Sequence, residues 1–382
     1  MNMAETVLSK TGLKILLVTH HIFPCTGGVE FMVMRLAREL SARGHQVRIA
    51  CLNKCPNSGT ELAATEIIDG IEIRRLRFLD LKYYKIATGI GREYGWADVI
   101  HVHGLGFFAD HAIWNRLRHK KPVLVSTHGA IFHTSSISML KGWYFGFVEK
   151  RLLRHAVVLA VSPADLELMK SIDIDAKLVE NAVDTVSLVP GQKNWNKAVF
   201  VGRLSSNKRV ELLIEAFANG PAARGMELWI IGPDWEGLRA RLEKKAADLD
   251  MAGSVHFLGE VTEAKKAAEL ACAGFFVSAS RYEGFGLSLV EAMAAGCIPI
   301  VQHLPSFNHI TKQAHTGALI DFVDFASAGK LISGWNAKTA SFLSGQSESA
   351  HQLAQRFGWK NHVDLTLEAY ALALETVRKH PL

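Results

Sequence analysis

Ser280-Arg281-Tyr282-Glu283-Gly284-Phe285-Gly286-Leu287-Ser288-Leu289-Val290-Glu291-Ala292-Met293-Ala294-Ala295-Gly296-Cys297 is the stretch on which the reading of this chain turns. Glu283 stands before a Gly-Phe-Gly turn, and Glu291 lies inside an apolar, Ala-rich segment of helical composition. Glycines that expose backbone N–H groups and then open a helix make an anion site, because the dipole and the unpaired N–H groups act together. At about 3.6 residues per turn, Glu291 lies about two turns from Glu283 on roughly the same face. One phosphate-binding helix start between two acids fits a diphosphate flanked by hydroxyl-rich groups. A nucleotide sugar has that chemistry.

On both sides of this stretch, short apolar runs alternate with helical ones. Lys14–Thr19, Val47–Cys51, Val99–His103, Val123–Thr127 and Val157–Val161 read as buried parallel strands. Val29–Gly44 reads as a helix, with Val29, Val33, Leu36, Ala37 and Leu40 at helical spacing and Gly44 as its C-terminal stop. The series restarts with Ala198–Val201, Leu228–Ile231, Val255–Phe257, Phe275–Val277, Ile298–Val301 and Ala318–Ile320. Asp184–Lys197, with Pro190 and Gly191, is the expected linker. The expectation is an α/β chain of two doubly wound, Rossmann-like domains facing a central cleft, residues 1–187 and 188–358. Ligands in such sheets bind beyond the carboxyl ends of the strands. Trp359–Arg378 reads as a final helix with Val363, Leu367, Tyr370, Ala371 and Leu374 along one face.

A length of 382 residues suits two or three domains. No apolar run is long enough to span a bilayer, and the polar opening Met1–Gly12 lacks the apolar core of a secretory signal. A cytoplasmic protein is therefore expected. The net charge of +6 favours anionic partners. No basic run interleaved with aromatics argues for nucleic acid. Five scattered cysteines read as reduced core thiols and not as a disulfide framework. Cys51-x-x-x-Cys55 has no second pair, so zinc is not expected.

Four further groups carry chemistry or its bland equivalent. Gly27-Gly28-Val29-Glu30 follows the first strand; it is a phosphate turn or a plain tight turn, and not the G-x-G-x-x-G fingerprint. Gly202-Arg203 and Lys208 end the first strand of the second series, where a planar fork and a mobile ammonium suit a diphosphate, although two cations in a loop are often merely solvated. His101-Val102-His103-Gly104 and Thr127-His128-Gly129 end two strands, and His128 is favoured over His103 for contact with a sugar hydroxyl. Arg151, Arg154 and His155, with Trp143, Tyr144, Phe145 and Phe147 upstream, form a basic and aromatic stretch that Arg116, Arg118, Lys120 and Lys121 extend. It fits an anionic membrane interface or a helix with a buried aromatic face equally well.

In these motifs and their order, from Lys14 to about Tyr370, the chain resembles the retaining glycosyltransferases of the GT-B fold, most closely the family 4 group. Its most specific part is Ser280-x-x-Glu283-Gly-Phe-Gly-Leu-x-x-x-Glu291-Ala-Met-Ala-x-Gly296-x-Pro299, the E-x7-E signature. The resemblance implies an expected catalytic set of Glu283, His128, Arg203 and Lys208. Arg203 and Lys208 would hold the diphosphate and stabilise the leaving group, while Glu283 and His128 would contact the donor sugar. Glu291 would hold the ribose hydroxyls. Gly28 and the backbone of Phe285, Gly286 and Leu287 would cradle the phosphates, and Glu260 and Val261 would flank the base. The last helix, 359–382, would pack back on the first domain.

No D-x-D motif stands in a suitable place, so cations and a helix dipole would replace a metal, with no cofactor beyond a UDP- or GDP-sugar donor. The implied reaction is retaining transfer of a hexose or N-acetylhexosamine to a glycan acceptor, lipid-linked, in cell-surface polysaccharide or glycoconjugate synthesis. The enzyme would sit peripherally at the inner face of the cell membrane. The alternatives are a soluble transferase for a small metabolite or storage glucan, and a nucleotide-sugar-binding protein without turnover. Ala279, Glu180, Ala182 and Leu304–His309 depart from the family pattern and leave sugar and acceptor specificity open.

Overall fold

The computed structural model describes residues 12–25, 27–56, 60–81, 84–128 and 150–379. It forms two compact units. The first holds the described residues up to Asn181 and the helix Trp359–Lys379; the second is Ala182–Gly358. The division falls ahead of residue 187 because Val183 and Leu188 are already buried in the core of the second unit.

The strands of the first unit are β1 (Lys14–Val18), β2 (Gln46–Leu52), β3 (Thr65–Ile68), β4 (Ile71–Leu76), β5 (Phe78–Asp80), β6 (Lys85–Ala87), β7 (Val99–His103), β8 (Val123–Ser126), β9 (Val157–Ala160) and β10 (Ala176–Leu178). Eight of them form one sheet in the order β10-β9-β8-β7-β1-β2-β4-β3, and β5 pairs with β6 separately. In the large sheet β3 alone runs antiparallel to its neighbour. Residues Ile15–Val18 are wholly buried, as a strand covered on both faces requires. The helix Gly28–Ala42 buries Met32, Val33, Leu36, Ala37 and Leu40, and Gly44 at φ +86 ends the turn that follows. Tyr94, Phe108, Ile100 and Val125 belong to one buried core cluster of this unit, together with Leu16 and Val18 of β1. The helix Trp359–Lys379 buries Val363, Leu367, Ala369, Tyr370 and Ala371 in this unit.

The second unit has β11 (Asn194–Val201), β12 (Glu227–Ile231), β13 (Val255–Gly259), β14 (Ala273–Ser278), β15 (Ile298–Gln302) and β16 (Ala318–Ile320), all parallel, in the order β13-β12-β11-β14-β15-β16. This is the doubly wound order, and the strand order reverses between β11 and β14. In sheets of this order a ligand is expected beyond the carboxyl ends of the strands at that point, β11 and β14. Leu289, Val290 and Met293 anchor the helix Leu287–Ala294 on the sheet beneath that point. Each fully buried side chain of this size stabilises by about 1.5–3 kcal/mol.

Three expectations need correction. The linker is shorter than Asp184–Lys197, because Asn194–Lys197 already belongs to β11, with Asn194 in register with Ala273. The β3–β4 hairpin was not expected, yet it turns on Asp69-Gly70 with both φ values positive (+50 and +77), the two-residue turn that suits strand twist. Finally, Cys25 and Cys55 are joined by a disulfide, with Cα atoms 5.3 Å apart. They lie in the loops leaving β1 and β2, which are adjacent parallel strands, so topology closes a separation of 30 positions. Cys51, Cys272 and Cys297 are free. Among the described residues no helix is long and apolar enough to cross a membrane.

Candidate active site

In the second unit the loop after β11 is stitched to the loop after β14. The Arg281 amide donates to the Asn207 carbonyl at 2.8 Å, and Asn207 Nδ2 donates to the Tyr282 carbonyl at 3.0 Å. Arg209, at the start of the helix Val210–Ala218, donates Nε to the Ala279 carbonyl at 2.7 Å and Nη2 to Gln302 Oε1 at 3.0 Å. Lys208 Nζ is thereby brought to Glu283 Oε1, an ion pair across 75 sequence positions. Ser280 Oγ donates to the same carboxylate oxygen at 2.8 Å, and Ser278 Oγ lies 3.1 Å from Ser280 Oγ. Lys208 and Glu283 keep 15% and 16% of their side-chain surface exposed, so the pair is dry on one side and open on the other.

Beside the pair, the helix Leu287–Ala294 begins. Its cap is Gly286 at φ +103, and no side chain caps it. The first N–H groups are left for another acceptor. A Cβ on Gly286 would meet Phe307 Cε1 at 3.0 Å in a backbone conformation that side chains rarely adopt. The Phe285 ring does not face a ligand. It is buried against Phe357, 5.7 Å away in an edge-on contact, so only its backbone is available.

Glu291 sits one helical stretch further on, 20% exposed, with both carboxylate oxygens 3.1 and 3.2 Å from Lys266 Nζ. Burial holds its carboxyl above the usual range, against the pull of Lys266. Burial opposes the charge on Lys266, yet Glu291 and Glu263 together hold the ammonium above its ordinary value. Glu260 and Val261 follow β13, exposed and half-buried, after Gly259 at φ +68. Arg203 is exposed and does not join the Lys208–Glu283 pair. Its guanidinium lies 4.8 Å from the ring centre of Trp235, which is 54% exposed in the loop after β12. That loop is pressed onto the end of β11: a Cβ on Gly232 would fall 2.1 Å from the Gly202 carbonyl oxygen.

In the first unit Gly28 is exposed at the first turn of its helix. A Cβ on the preceding Gly27 would fall 2.3 Å from Glu30 Oε2. His128 follows β8 at φ +45, a costly conformation for a side chain of its size. It is held there by Thr127, whose hydroxyl donates to Asp165 Oδ2 at 2.6 Å and whose amide donates to the Leu159 carbonyl at 3.0 Å. His128 Nε2 lies 2.8 Å from His103 Nδ1. The His103 ring stacks 4.1 Å from His101, which is bound to Tyr370 Oη and Ser126 Oγ at 2.8 Å each. Burial, then the nearby His362, pulls His128 down to about 3. Burial, then His128 and His362, does the same to His101.

Arg209, Lys266 and Trp235 were not singled out in the sequence, and Ser280 entered only as the first residue of the signature, with no role of its own. Trp235 left a usable signal, an aromatic in a Gly-Pro turn after a strand. Lys266 left none, because it reads as one more lysine on a polar helix face. Of the basic and aromatic stretch, Trp143, Tyr144, Phe145 and Phe147 lie outside the described residues.

Both halves of the chain are similar to known glycosyltransferases. Residues 189–357 match the family described as glycosyl transferases group 1, and residues 26–187 match glycosyltransferase family 4. The GDP-mannose:cellobiosyl-diphosphopolyprenol alpha-mannosyltransferase of Xanthomonas campestris is 29% identical over 378 residues, 96% of this chain and 98% of that one. The phosphatidyl-myo-inositol mannosyltransferase of Mycolicibacterium smegmatis is 27% identical over 371 residues, 91% of this chain and 90% of that one. In fold, the Anabaena protein HepE in complex with UDP superposes with a TM-score of 0.72 at 17% identity, covering 96% of this chain and all of that one. With both halves of the chain matched in order and the doubly wound order present in the second unit, this protein belongs to the family 4 glycosyltransferases of the GT-B fold.

Proposed function

We propose that this glycosyltransferase moves a hexose, with retention of configuration and without a metal, from a nucleoside-diphosphate sugar to a lipid-linked glycan. The observation that carries the reading is the Lys208–Glu283 pair beside the uncapped start of the helix Leu287–Ala294. Breaking a sugar–phosphate bond builds negative charge on the diphosphate. The Lys208 ammonium, the Arg203 guanidinium and the helix N-terminus would take it up. Lys208 has three N–H donors, so it can keep Glu283 while donating to a phosphate oxygen. The departing phosphate can accept the proton of the attacking hydroxyl, and no protein base is obligatory. Glu283, held by Ser280 and Lys208, is oriented to accept from donor-sugar hydroxyls. Glu291 accepts from the ribose hydroxyls while Lys266 neutralises its charge. Gly28, His128, Glu260 and Val261 keep the roles that the family resemblance implies.

The mannosyltransferase relatives support GDP-mannose as the donor to try first, and a polyprenol- or inositol-lipid acceptor. The first unit supports an anionic membrane surface as partner. Trp114 and Leu117 are 75% and 60% exposed, among Arg116, Arg118, Lys120 and Lys121. We place the enzyme at the cytoplasmic face on this ground, although the Cys25–Cys55 disulfide runs against a reducing compartment.

Purified enzyme incubated with GDP-mannose, UDP-glucose and UDP-N-acetylglucosamine tests the function. Release of free nucleotide from one donor, undiminished by EDTA, is the expected result. No turnover across the panel, with nucleotide still bound, would leave only a binding protein. Flotation with phosphatidylserine vesicles tests the membrane clause, and no binding at low salt refutes it.

A further inference from the structure

We infer that His103 is a positioning residue that locks His128 as its Nδ1–H tautomer, so that the open nitrogen of His128 is a neutral hydrogen-bond donor and not an acceptor. This rests on the reading of His128 as a sugar-contacting residue. The observation is a buried histidine stack with one unpartnered atom. His103 is 5% exposed, and its Nε2 has no hydrogen-bond partner. Its Nδ1 lies 2.8 Å from His128 Nε2.

The neighbours cannot take up a proton from His103 Nε2. His101 stacks on His103, but both its nitrogens are committed, to Tyr370 Oη and to Ser126 Oγ. His362 gives its Nδ1–H to the Glu180 carbonyl at 2.8 Å and makes no hydrogen bond to His103. Burial keeps His101, His103, His128 and His362 below the ordinary imidazole range, so each neutral ring carries one N–H.

Two arrangements of the His103–His128 bond remain. If His128 donated from Nε2, His103 Nδ1 would accept and its only proton would sit on Nε2, a buried N–H with no acceptor. If His103 donates from Nδ1, its Nε2 is a bare lone pair, and the proton of His128 is on Nδ1. Orphaned buried N–H groups are the rarer and costlier of the two. Among the described residues the ring of His128 is hydrogen-bonded only through Nε2, to His103, and Nδ1 is its other nitrogen. The strained φ of +45 holds the ring in this place. A donor at that nitrogen selects a sugar oxygen with a free lone pair, and it cannot act as a base.

Nitrogen-15 spectra of histidine-labelled full-length protein near pH 7 test this, with the His128 signal identified by its loss in His128→Gln. A protonated Nδ1 with a bare Nε2 is expected, and a protonated Nε2 overturns the inference. His103→Leu should lower kcat/KM for donor hydrolysis about tenfold, with affinity for GDP and UDP unchanged. His103→Asn places an amide N–H near the lost Nδ1–H and should recover most of the rate. Equal losses in the two variants would mean that His103 only fills space. Should His103→Leu fail to fold, the spectrum and His103→Asn still decide. Full turnover in His128→Ala would instead refute the sugar-contact role on which the inference stands, whatever tautomer the spectrum reports.

Discussion

Lys208→Ala separates the chemical role of the Lys208–Glu283 pair from its structural one. The pair is mostly buried, with 15% and 16% of the side chains exposed. Removing one partner of a fully buried pair costs about 3–5 kcal/mol; the open side and the remaining Ser280 Oγ contact at 2.8 Å reduce this to about 2 kcal/mol. For a unit of this size, that is a fall of about 4–8 °C in Tm. The rate should fall further. A preorganised donor aimed at a developing oxyanion contributes about 10²–10³ in kcat. Glu283→Gln in the Lys208→Ala background removes the stranded charge and should restore most of the Tm without restoring turnover. The assay is donor hydrolysis beside a thermal melt of each variant. Turnover within about threefold of wild type in Lys208→Ala would refute charge stabilisation by this residue. Recovery of turnover together with Tm in the double variant would assign the whole effect to folding.

Further outcomes are expected. Glu291→Gln should weaken GDP or UDP binding about tenfold by calorimetry, the loss of a charge-assisted hydrogen bond. Because burial raises the Glu291 pKa, the folded protein holds that proton more tightly than the unfolded chain. Its contribution to stability is therefore present below about 4.5 and is lost as pH rises through the raised value. Nucleotide affinity, which needs the ionised form, runs the other way and should start to fall on acidification at a pH above 4.5, with that step absent in Glu291→Gln. Trp235→Ala removes the ring beneath Arg203 and should raise the donor KM about two- to fivefold, with Trp235→Phe close to wild type; an unchanged KM would leave the stacking without a role. Thiol titration of unfolded, unreduced protein should count three free cysteines, and Cys25→Ser should cost about 3–4 kcal/mol in a denaturant melt; a count of five refutes the disulfide.

The two α/β series, the helix after the Gly-Phe-Gly turn and the glycine start of that helix at Gly286 are readable in the residues themselves. They depend on strand and helix periodicity and on local φ, which act over a few positions. The β3–β4 hairpin is legible too, because Asp69-Gly70 is a pair that tolerates positive φ at both turn positions. What each functional side chain touches was not readable. Lys208 reaches Glu283 because the chain order β13-β12-β11-β14 sets β11 beside β14, and Arg209 then closes the two loops on each other. Lys266 meets Glu291 because two helices on the same sheet bring together residues 25 positions apart. The Cys25–Cys55 bond and the His101–His103–His128 stack arise in the same way, from loops and strand ends that parallel pairing sets side by side. Periodicity specifies which face of an element is apolar; only the order in which strands pack determines whose polar ends meet, because that order is settled by burial summed over the whole sheet.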